Sequence, residues 1–356
     1  MDFNKILEMC VEHNASDIHL TVGNSPLLRI DDKFHPLEKN LLKPNDIEKF
    51  MKEITSEENQ RKLEQVGGAE FGIGFGEVAR FRVSIYKQKG YLGMALRLIP
   101  YKLMGFEEIG LPPIIKELLY RPRGLILVTG PTGSGKTTTL ATMINYINIQ
   151  RDCHIVTIED PIEYYHQHKK SIITQREVEV DVPSFSEAVI RGLRQDPDVM
   201  LIGEMRDLAT MQAAITAAET GHLVLATLHT TGAAQTMDRL IGAFPTDQQE
   251  QVRIQLSLNI AAIISQLLLV KTAKSGGRVA VFEIMIATPA IRNLIREDKT
   301  FMVTSEIQTG ARYGMKTMDT SLADLYNRQI ISYEDAIAKA FDPKQVQEKI
   351  TGTEKK

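Results

Sequence analysis

The sequence predicts an α/β protein in which a small α+β unit precedes a larger unit with a sheet covered by helices on both faces. In the larger unit, short apolar stretches recur with helix-compatible segments between them: GLILVTG, HIVTIED, DVMLIGE and HLVLATL. In the first hundred residues, helical spacing mixes with period-two alternation. Apolar strands that alternate with helices are typical of a layered α/β design.

Length and composition narrow the possible classes. The chain has 356 residues, which is enough for two domains. Its formal net charge is −3, so the composition shows no overall excess of basic residues of the kind that would indicate nucleic-acid binding. Cys10 and Cys153 are far apart and form no CxxC pair, so we expect neither a disulfide framework nor a cysteine zinc site. This low cysteine content fits a reducing, cytoplasmic compartment. The N-terminal MDFNKILEMC does not resemble a secretion signal.

The elements of residues 1–100 follow from local spacing. FNKILEMCVEH predicts a helix and SDIHLTV a strand, and PLLRIDDKFHPL predicts two short strands around Asp31 and Asp32. The polar KPNDIEKFMKEITSEENQRKLEQVG predicts one or two helices that end near Gly67. ARFRVSIYKQ and YLGMALRLIP predict paired strands. Residues 101–113 carry Gly and Pro at both sides, so we expect a linker there and a second domain over residues 114–356.

The second domain becomes mostly helical from about Thr246 onward, with one strand expected at RVAVFEIMI. The apolar run LSLNIAAIISQLLLV, Leu256–Val270, is too short for a membrane span and contains polar residues, and we interpret it as a buried helix. The octet AIRNLIRE predicts an amphipathic helix with Thr288 as N-cap and Pro289 at its first position. Its apolar face comprises Ala290, Ile291, Leu294 and Ile295, and its polar residues are Arg292, Asn293, Arg296 and Glu297. On spacing alone, a surface helix with a solvated face is the simpler interpretation.

A phosphate-binding loop is the strongest signal in the chain. GPTGSGKTTTL satisfies GxxxxGK[ST], follows an apolar strand and precedes a helix-compatible run, a context that makes a chance glycine-rich turn improbable. Lys136 would reach the β- and γ-phosphates, and the Thr137 hydroxyl would bind Mg²⁺. The residues expected at the nucleotide are Gly130, Pro131, Thr132, Gly133, Ser134, Gly135, Lys136, Thr137 and Thr138.

Acidic residues and two histidines follow or flank the later strands. TIEDPIEY carries Glu159, Asp160 and Glu163 at a strand end, and DVMLIGEMRD ends its apolar run before Glu204. Carboxylates at such ends can hold Mg²⁺ or orient water, although solvated loops are the alternative. His222 and His229 flank one strand seven residues apart, too far to chelate one ion. A γ-phosphate sensor or a subunit contact is the functional alternative to structural histidines.

The order of these four segments resembles the secretion ATPase superfamily of type II secretion and type IV pili. There GPTGSGKTTTL, TIEDPIEY, RGLRQDPDVMLIGEMRD and TAAETGHLVLATLHTTGA correspond to the Walker A, aspartate, Walker B and histidine boxes. NASDIHL also resembles its N-terminal domain, and AIRNLIRE resembles the signature of the PilT-type retraction branch. Assembly and secretion members usually carry an extra N-terminal region and often a four-cysteine zinc site, neither of which is expected here.

The resemblance implies a homohexameric ATPase with a PAS-like N-terminal domain, a RecA-like domain and a helical C-terminal part, with ATP bound between the two domains and Mg²⁺ as cofactor. It implies Glu163 as the general base and Glu204 as the Walker B acid. Arg82 and Arg97 match the family's N-terminal-domain arginines at the nucleotide. Arg80 shares a strand face with Arg82, Arg278 is a weaker candidate, and arginines on an exposed strand face are the alternative.

The implied partner is the inner-membrane platform protein of a pilus, which the hexamer would meet at the cytoplasmic face of that membrane, at the pilus base. Membrane association would then occur only through partners. ATP hydrolysis would drive pilus retraction, with the octet implicated in it, and the linker would bend. The rivals are an assembly or secretion ATPase, a hexameric nucleic-acid translocase, and an accessory subunit that binds ATP without hydrolysing it. Near-neutral charge and the absence of Trp argue against nucleic acid.

Overall fold

The computed structural model describes residues 2–30, 33–76, 78–100, 103–272 and 276–351. Its contacts divide the chain into two compact units, Met1–Lys102 with Pro161–Tyr165, and Leu103–Asp160 with His166–Lys356. Each unit has its own sheet, so the fold is mixed α/β with two sheets, as predicted. Asp31, Asp32 and the first two residues of the expected linker lie outside the described residues.

Over its described residues, the first unit contains three helices and a six-stranded sheet in the order β3-β2-β1-β6-β5-β4. Neighbouring strands are antiparallel throughout. Its elements are α1 Phe3–Glu12, β1 Asp17–Thr21, β2 Leu27–Ile30, β3 Lys33–Pro36, α2 Pro44–Ile54, α3 Glu57–Val66, β4 Gly68–Phe75, β5 Ala79–Gln88 and β6 Tyr91–Pro100. Every element expected from spacing in this unit is present, and the long polar segment forms two helices.

The core of the first unit follows the spacing of its apolar residues. Helix α1 buries Phe3, Ile6, Leu7 and Cys10, which fall on one face at helical spacing. Along β5, Phe81 and Val83 are buried, whereas Arg82 between them is only half-buried. This alternation places apolar side chains on the core face of an antiparallel sheet and polar ones on the other face.

The second unit contains a sheet with seven strands over the described residues, in the order β13-β12-β7-β11-β10-β8-β9. Six strands run parallel, and β13 is antiparallel to its neighbour β12. The strands are β7 Gly124–Thr129, β8 His154–Glu159, β9 Ile172–Glu177, β10 Val199–Ile202, β11 Leu223–Leu228, β12 Ile260–Val270 and β13 Arg278–Ile286. Every residue of β7, β10 and β11 is buried, as continuous apolar strands covered on both faces require.

Helices connect and cover these strands. They are α4 Phe106–Ile109, α5 Ile114–Leu118, α6 Lys136–Gln150, α7 Phe185–Gly192, α8 Leu208–Glu219, α9 Ala233–Gly242, α10 Gln249–Asn259, α11 Pro289–Arg296, α12 Val303–Thr309, α13 Met318–Asn327, α14 Tyr333–Ala338 and α15 Pro343–Thr351, with 3-10 turns at Thr300–Met302 and Ala311–Tyr313. Over the described ranges, every helix is too short or too polar to cross a lipid bilayer.

The interpretation of Leu256–Val270 as one buried helix is wrong. Helix α10 ends at Asn259, and the chain then runs through the eleven-residue strand β12 between β7 and β13. A short apolar run fits either a buried helix or a buried strand, and here the β-branched pair Ile263–Ile264 pairs with β7. The described residues after Thr246 therefore form two strands, and of these only β13 was predicted.

The segment 103–113, expected as linker, belongs to the second unit. It forms the short helix α4, and both Phe106 and Leu111 are buried in the core beside β7 and α6. Gly105 and Gly110 flank the helix, and Gly110 ends it in the left-handed conformation. Gly and Pro punctuation here accompanies a packed turn of helix rather than an unpacked connection.

A buried carboxylate on β13 binds the N-termini of helices α9 and α13 to the sheet. Glu283 on β13 is 3% exposed and accepts from the backbone N–H groups of Ala233 at 2.8 Å and Met318 at 3.2 Å. These are the first residues of α9 and α13, so the side chain serves two helix N-termini at once. Burial raises the pKa of Glu283, although its two backbone N–H bonds act in the opposite direction.

Candidate active site

The phosphate loop lies between β7 and α6, at the carboxyl end of the parallel strands. Gly130, Gly133 and Gly135 all have positive φ, at 146°, 78° and 86°, which lets the chain turn tightly before the helix begins at Lys136. The first backbone N–H groups of α6 have no partner within the helix and carry its positive dipole end. This is the arrangement that binds phosphate.

Lys136 closes the loop. Its Nζ donates to the carbonyl oxygens of Gly130 at 2.9 Å and Pro131 at 3.1 Å, and the residue is 9% exposed. Burial lowers the pKa of Lys136, and the nearby Glu204 carboxylate acts in the opposite direction. The hydroxyl of Ser134 is buried and, among the described residues, has no hydrogen-bond partner. The loop therefore offers an ammonium, a spare hydroxyl and backbone donors to an anion.

Glu204 and His229 lie beside this loop because neighbouring parallel strands end at the same edge. Glu204 follows β10, His229 follows β11, and β11 pairs with both β10 and β7. Nε2 of His229 is 3.1 Å from Oε1 of Glu204, and Nδ1 of His229 is 3.4 Å from the Thr132 hydroxyl. His229 thus connects the Walker B position to the phosphate loop.

Arg206 is a member of this cluster that the sequence analysis missed. Its Nε lies 2.8 Å from Oε1 of Glu204, the oxygen that also faces His229. Burial would raise the pKa of Glu204, but the interactions of its carboxylate with Arg206 and His229 outweigh the effect of burial and lower that pKa. Glu204 is therefore held as a carboxylate. An arginine two residues after the strand-end acid was the available signal.

His222 does not reach this edge. Its carbonyl accepts from the backbone N–H of Gly124, the first residue of β7, while the phosphate loop follows the last. Six residues of strand separate the two ends, about 20 Å. The His222 ring lies 2.9 Å from the Ala217 carbonyl at the end of α8, and this contact accounts for it structurally. Of the two histidines, His229 is therefore the one that lies beside the phosphate loop, and the nucleotide role expected of each stays a prediction.

Three of the arginine candidates, Arg80, Arg82 and Arg97, lie in the first unit. Arg82 on β5 faces Arg97 on β6 as a direct cross-strand partner. Each arginine also forms an ion pair with a carboxylate: Glu70 lies 3.2 Å from Arg82, and Asp17 lies 2.9 Å from Arg97. Like charges directly opposite each other on neighbouring strands repel, and the two carboxylates reduce this repulsion between the arginines. The sheet therefore brings together the two arginines that the resemblance implicates.

Arg80 is placed differently from Arg82. It is 6% exposed, and its guanidinium lies over the Tyr165 ring at 4.2 Å. A Cβ at Gly72 would stand 2.3 Å from its Nη2, so glycine there makes room for the side chain. Glu163 lies in Pro161–Tyr165, the segment that groups with the first unit. Its role and that of Arg80 stay predictions, while Arg278 is exposed at the start of β13.

Comparison with known proteins identifies the family. A model described as type II/IV secretion system protein matches residues 1–337. The chain belongs to the type II/IV secretion system protein family. It is similar to the Pseudomonas aeruginosa protein named type IV pilus retractation ATPase PilT, with 46% identity over 343 residues that cover 96% of this chain and 99% of the relative. These findings confirm the resemblance drawn from the four boxes and the octet.

Two further relatives of this family support the same placement. A twitching motility protein of Neisseria gonorrhoeae is 45% identical and matches over 92% of this chain and 88% of its own. Among solved structures, the pilus retraction motor PilT with bound ADP aligns with a TM-score of 0.91 at 47% identity, covering 98% of this chain and 99% of that one. The match therefore includes both units and the octet.

The octet of this family member forms helix α11, as its spacing predicted. The Thr288 hydroxyl caps the helix by accepting from the Ile291 N–H at 3.3 Å. Ile291 and Ile295 are buried, and Leu294 packs partly against the core, whereas Ala290 is exposed. Three of the four residues expected on the apolar face therefore pack inward, and the prediction for Ala290 is wrong.

Arg292, one of the polar residues of the octet, is half-buried and bonds to backbone carbonyls. Its guanidinium donates to the carbonyls of Ala287 at 3.1 Å, Ser257 at 2.8 Å and Ile260 at 3.0 Å, and also to that of Leu258. Three of these carbonyls lie at the end of α10 and the start of β12. A cation at a helix C-terminus satisfies carbonyls that lack a partner in the helix. Arg292 therefore joins α11 to the α10–β12 junction.

The other polar residues of the octet bond mainly to one another. Nη2 of Arg296 donates to Oδ1 of Asn293 at 2.7 Å, and Nδ2 of Asn293 donates to Oε1 of Glu297 at 2.9 Å. Glu297 also pairs with Lys299 at 2.8 Å. Arg296 and Glu297 are exposed. Arg296 and Glu297 therefore lie at the surface of the second unit, whereas Arg292 is half-buried.

Replacing Arg292 by Ala is expected to destabilise the second unit by roughly 2–3 kcal/mol, because several carbonyls lose a charged donor. Arg296→Ala is the matched control, since among the described residues its exposed side chain bonds to Asn293 of the same octet, and we expect a change within about 0.5 kcal/mol. Urea unfolding midpoints of the two variants measure the difference. Equal midpoints would show that the guanidinium does not join these elements.

Proposed function

We propose that this chain is an ATP-hydrolysing motor that drives retraction of a type IV pilus. The observation that carries the proposal is the cluster of Lys136, Glu204 and His229 at one sheet edge, in a family member that also has the α11 octet. The two named relatives, a retraction ATPase and a twitching motility protein, support the same activity over nearly the whole chain.

The phosphate loop would hold the nucleotide through residues Gly130–Thr138. Backbone donors at the start of α6 and the Lys136 ammonium meet the β- and γ-phosphates, which replace the loop carbonyls as partners of Nζ. The Thr137 hydroxyl and the Glu204 carboxylate are oxygen ligands of the kind that Mg²⁺ prefers, with Glu204 acting through water. When bound, Mg²⁺ would neutralise negative charge on the phosphates.

Hydrolysis needs a base and a positive charge at the γ-phosphate. We assign Glu163 to orient the attacking water and accept its proton, and Arg82 and Arg97 to stabilise the transition state, with Arg80 supporting them. His229 bridges Glu204 and Thr132, so it can report whether a γ-phosphate lies in the loop. We assign no part of this chemistry to His222, whose ring bonds to the Ala217 carbonyl at the end of α8.

The proposed motor is a ring of six copies of the chain. In each copy the first unit is PAS-like and the second unit is RecA-like. Motion near residues 101–113 converts each ATP turnover into movement. The partner is the platform protein of the pilus at the cytoplasmic face of the inner membrane, contacted without insertion of this chain and without nucleic acid. The exposed Arg296 and Glu297 of the octet belong to the surface that serves retraction.

A count of surface pili tests the direction of the motor. Cells that lack this gene are expected to be crowded with pili and unable to twitch, and a Glu163→Gln copy should not restore motility. A copy carrying Glu187→Gln, the same change at an exposed position of α7, should restore it. Cells without pili would identify an assembly motor instead.

A further inference from the structure

Gln266 connects β12 to the phosphate loop through both arms of its side chain. The residue is 3% exposed and lies in the strand next to β7. Its Nε2 donates to the Ser134 carbonyl at 2.6 Å, and its Oε1 accepts from the Thr139 hydroxyl at 2.7 Å. One amide therefore binds the loop and the first turn of α6 together.

The backbone of Gln266 also shapes the loop. A Cβ at Gly130 would stand 2.2 Å from the Gln266 carbonyl oxygen, and a Cβ at Gly135 would stand 2.9 Å from Nε2. Both glycines also have positive φ, so a side chain would be strained as well as crowded. The first and last glycines of the motif are thus in contact with one residue more than a hundred positions downstream.

The contact with Ser134 sets the direction of one peptide group. In a trans peptide the C=O and the following N–H point in opposite directions. Because the Ser134 carbonyl points at Gln266, the Gly135 N–H points away from β12. Backbone N–H groups of this loop are the donors that cradle phosphates. An amide that prevents this peptide from rotating therefore keeps a phosphate donor in place.

We propose that Gln266 is a positioning residue for phosphate binding, which holds the Ser134–Gly135 peptide and the first turn of α6 in the orientation that receives the β-phosphate. This inference rests on the proposed nucleotide activity. It assigns a role to a strand that the Walker motif does not include, and it predicts a loss in nucleotide affinity rather than in the chemical step.

Two variants at Gln266 test this role in the full-length protein. Gln266→Glu places a carboxylate oxygen against the Ser134 carbonyl, and Gln266→Met removes both polar arms at similar size. We expect the ADP dissociation constant, measured by calorimetry well below the melting temperature, to rise at least about tenfold for each. KM for ATP should rise while kcat changes less than about threefold, as expected when uniform binding is lost.

The control is Gln251→Glu, the same chemical change at an exposed position of α10. It should leave ADP affinity, KM and kcat unchanged. If Gln266→Glu and Gln266→Met bind ADP as the parent does, whatever their melting temperatures, the positioning role is wrong. If neither variant folds, Thr139→Val removes the hydrogen bond from the Thr139 hydroxyl to Oε1 of Gln266. An ADP affinity of this variant equal to that of the parent would overturn the proposal.

Measurements on the unsubstituted protein distinguish failure of the Gln266 role from failure of the proposed ATPase function. A parent that neither binds ADP nor hydrolyses ATP would remove the proposed function itself. A parent that does both, with Gln266 variants that match it, would remove only the role of Gln266. Binding of inorganic pyrophosphate gives a second comparison, because it reports on the loop without the adenosine moiety.

Discussion

A Glu163→Gln variant is expected to bind ATP with unchanged affinity and to hydrolyse it at least about 100-fold more slowly, since removal of a general base typically costs 10²–10⁴ in rate. The amide keeps the size of the side chain but cannot accept a proton. Steady-state phosphate release and binding of a fluorescent ATP analogue measure the two properties separately.

Glu204→Gln is the informative comparison for this prediction. Glu204 accepts from Arg206 and faces His229, so the amide would weaken both contacts at the loop edge. We therefore expect Glu204→Gln to change Mg²⁺-dependent nucleotide affinity as well as turnover. Glu187→Gln, on the exposed side of α7, is the control and should change neither. Normal turnover in Glu163→Gln would assign the base elsewhere.

Replacing Lys136 by Ala is expected to abolish measurable ATP turnover, a loss of at least about 100-fold, because it removes the buried cation that we propose as the partner of the phosphates. Affinity for ADP should fall as well, since Lys136 would contact the β-phosphate in both nucleotides. ATP turnover and ADP calorimetry on the same preparation measure the two effects.

Lys136 also donates to two loop carbonyls, so its loss could loosen the loop itself. Lys136→Met keeps most of the aliphatic stem and should show the same loss of turnover with a smaller change in melting temperature. Lys344→Ala, exposed on α15, should behave as the parent. Retained turnover in both Lys136 variants would place the phosphate site outside this loop.

Local sequence patterns were sufficient to predict the features that depend on neighbouring or regularly spaced residues. The phosphate loop, the N-cap at Thr288 and the alternation along β5 depend on residues a few positions apart, and each is present as expected. The placement of Glu204 beside the loop could also be predicted. Parallel strands in an α/β sheet carry their carboxyl ends to one edge, so a strand-end acid near the phosphate loop follows from the order of the motifs.

Long-range pairing decided the elements that local patterns left ambiguous. The run Leu256–Val270 is apolar enough for a helix or a strand, and only its position between β7 and β13 makes most of it a strand. The same pairing brings Gln266 to the loop. In the sequence its polar side chain, inside an apolar run, was the only signal that this position had a partner.

The sequence by itself determined the family, the phosphate loop, the strand-end acid and the amphipathic octet, because these depend on residue type at short spacing. Only the tertiary structure decided that His229 rather than His222 meets the loop, that Arg292 binds the α10–β12 junction and that Gln266 supports the loop. Those contacts join segments about thirty to more than a hundred residues apart, and the strand order that brings them together is a property of the packed sheet rather than of any local pattern.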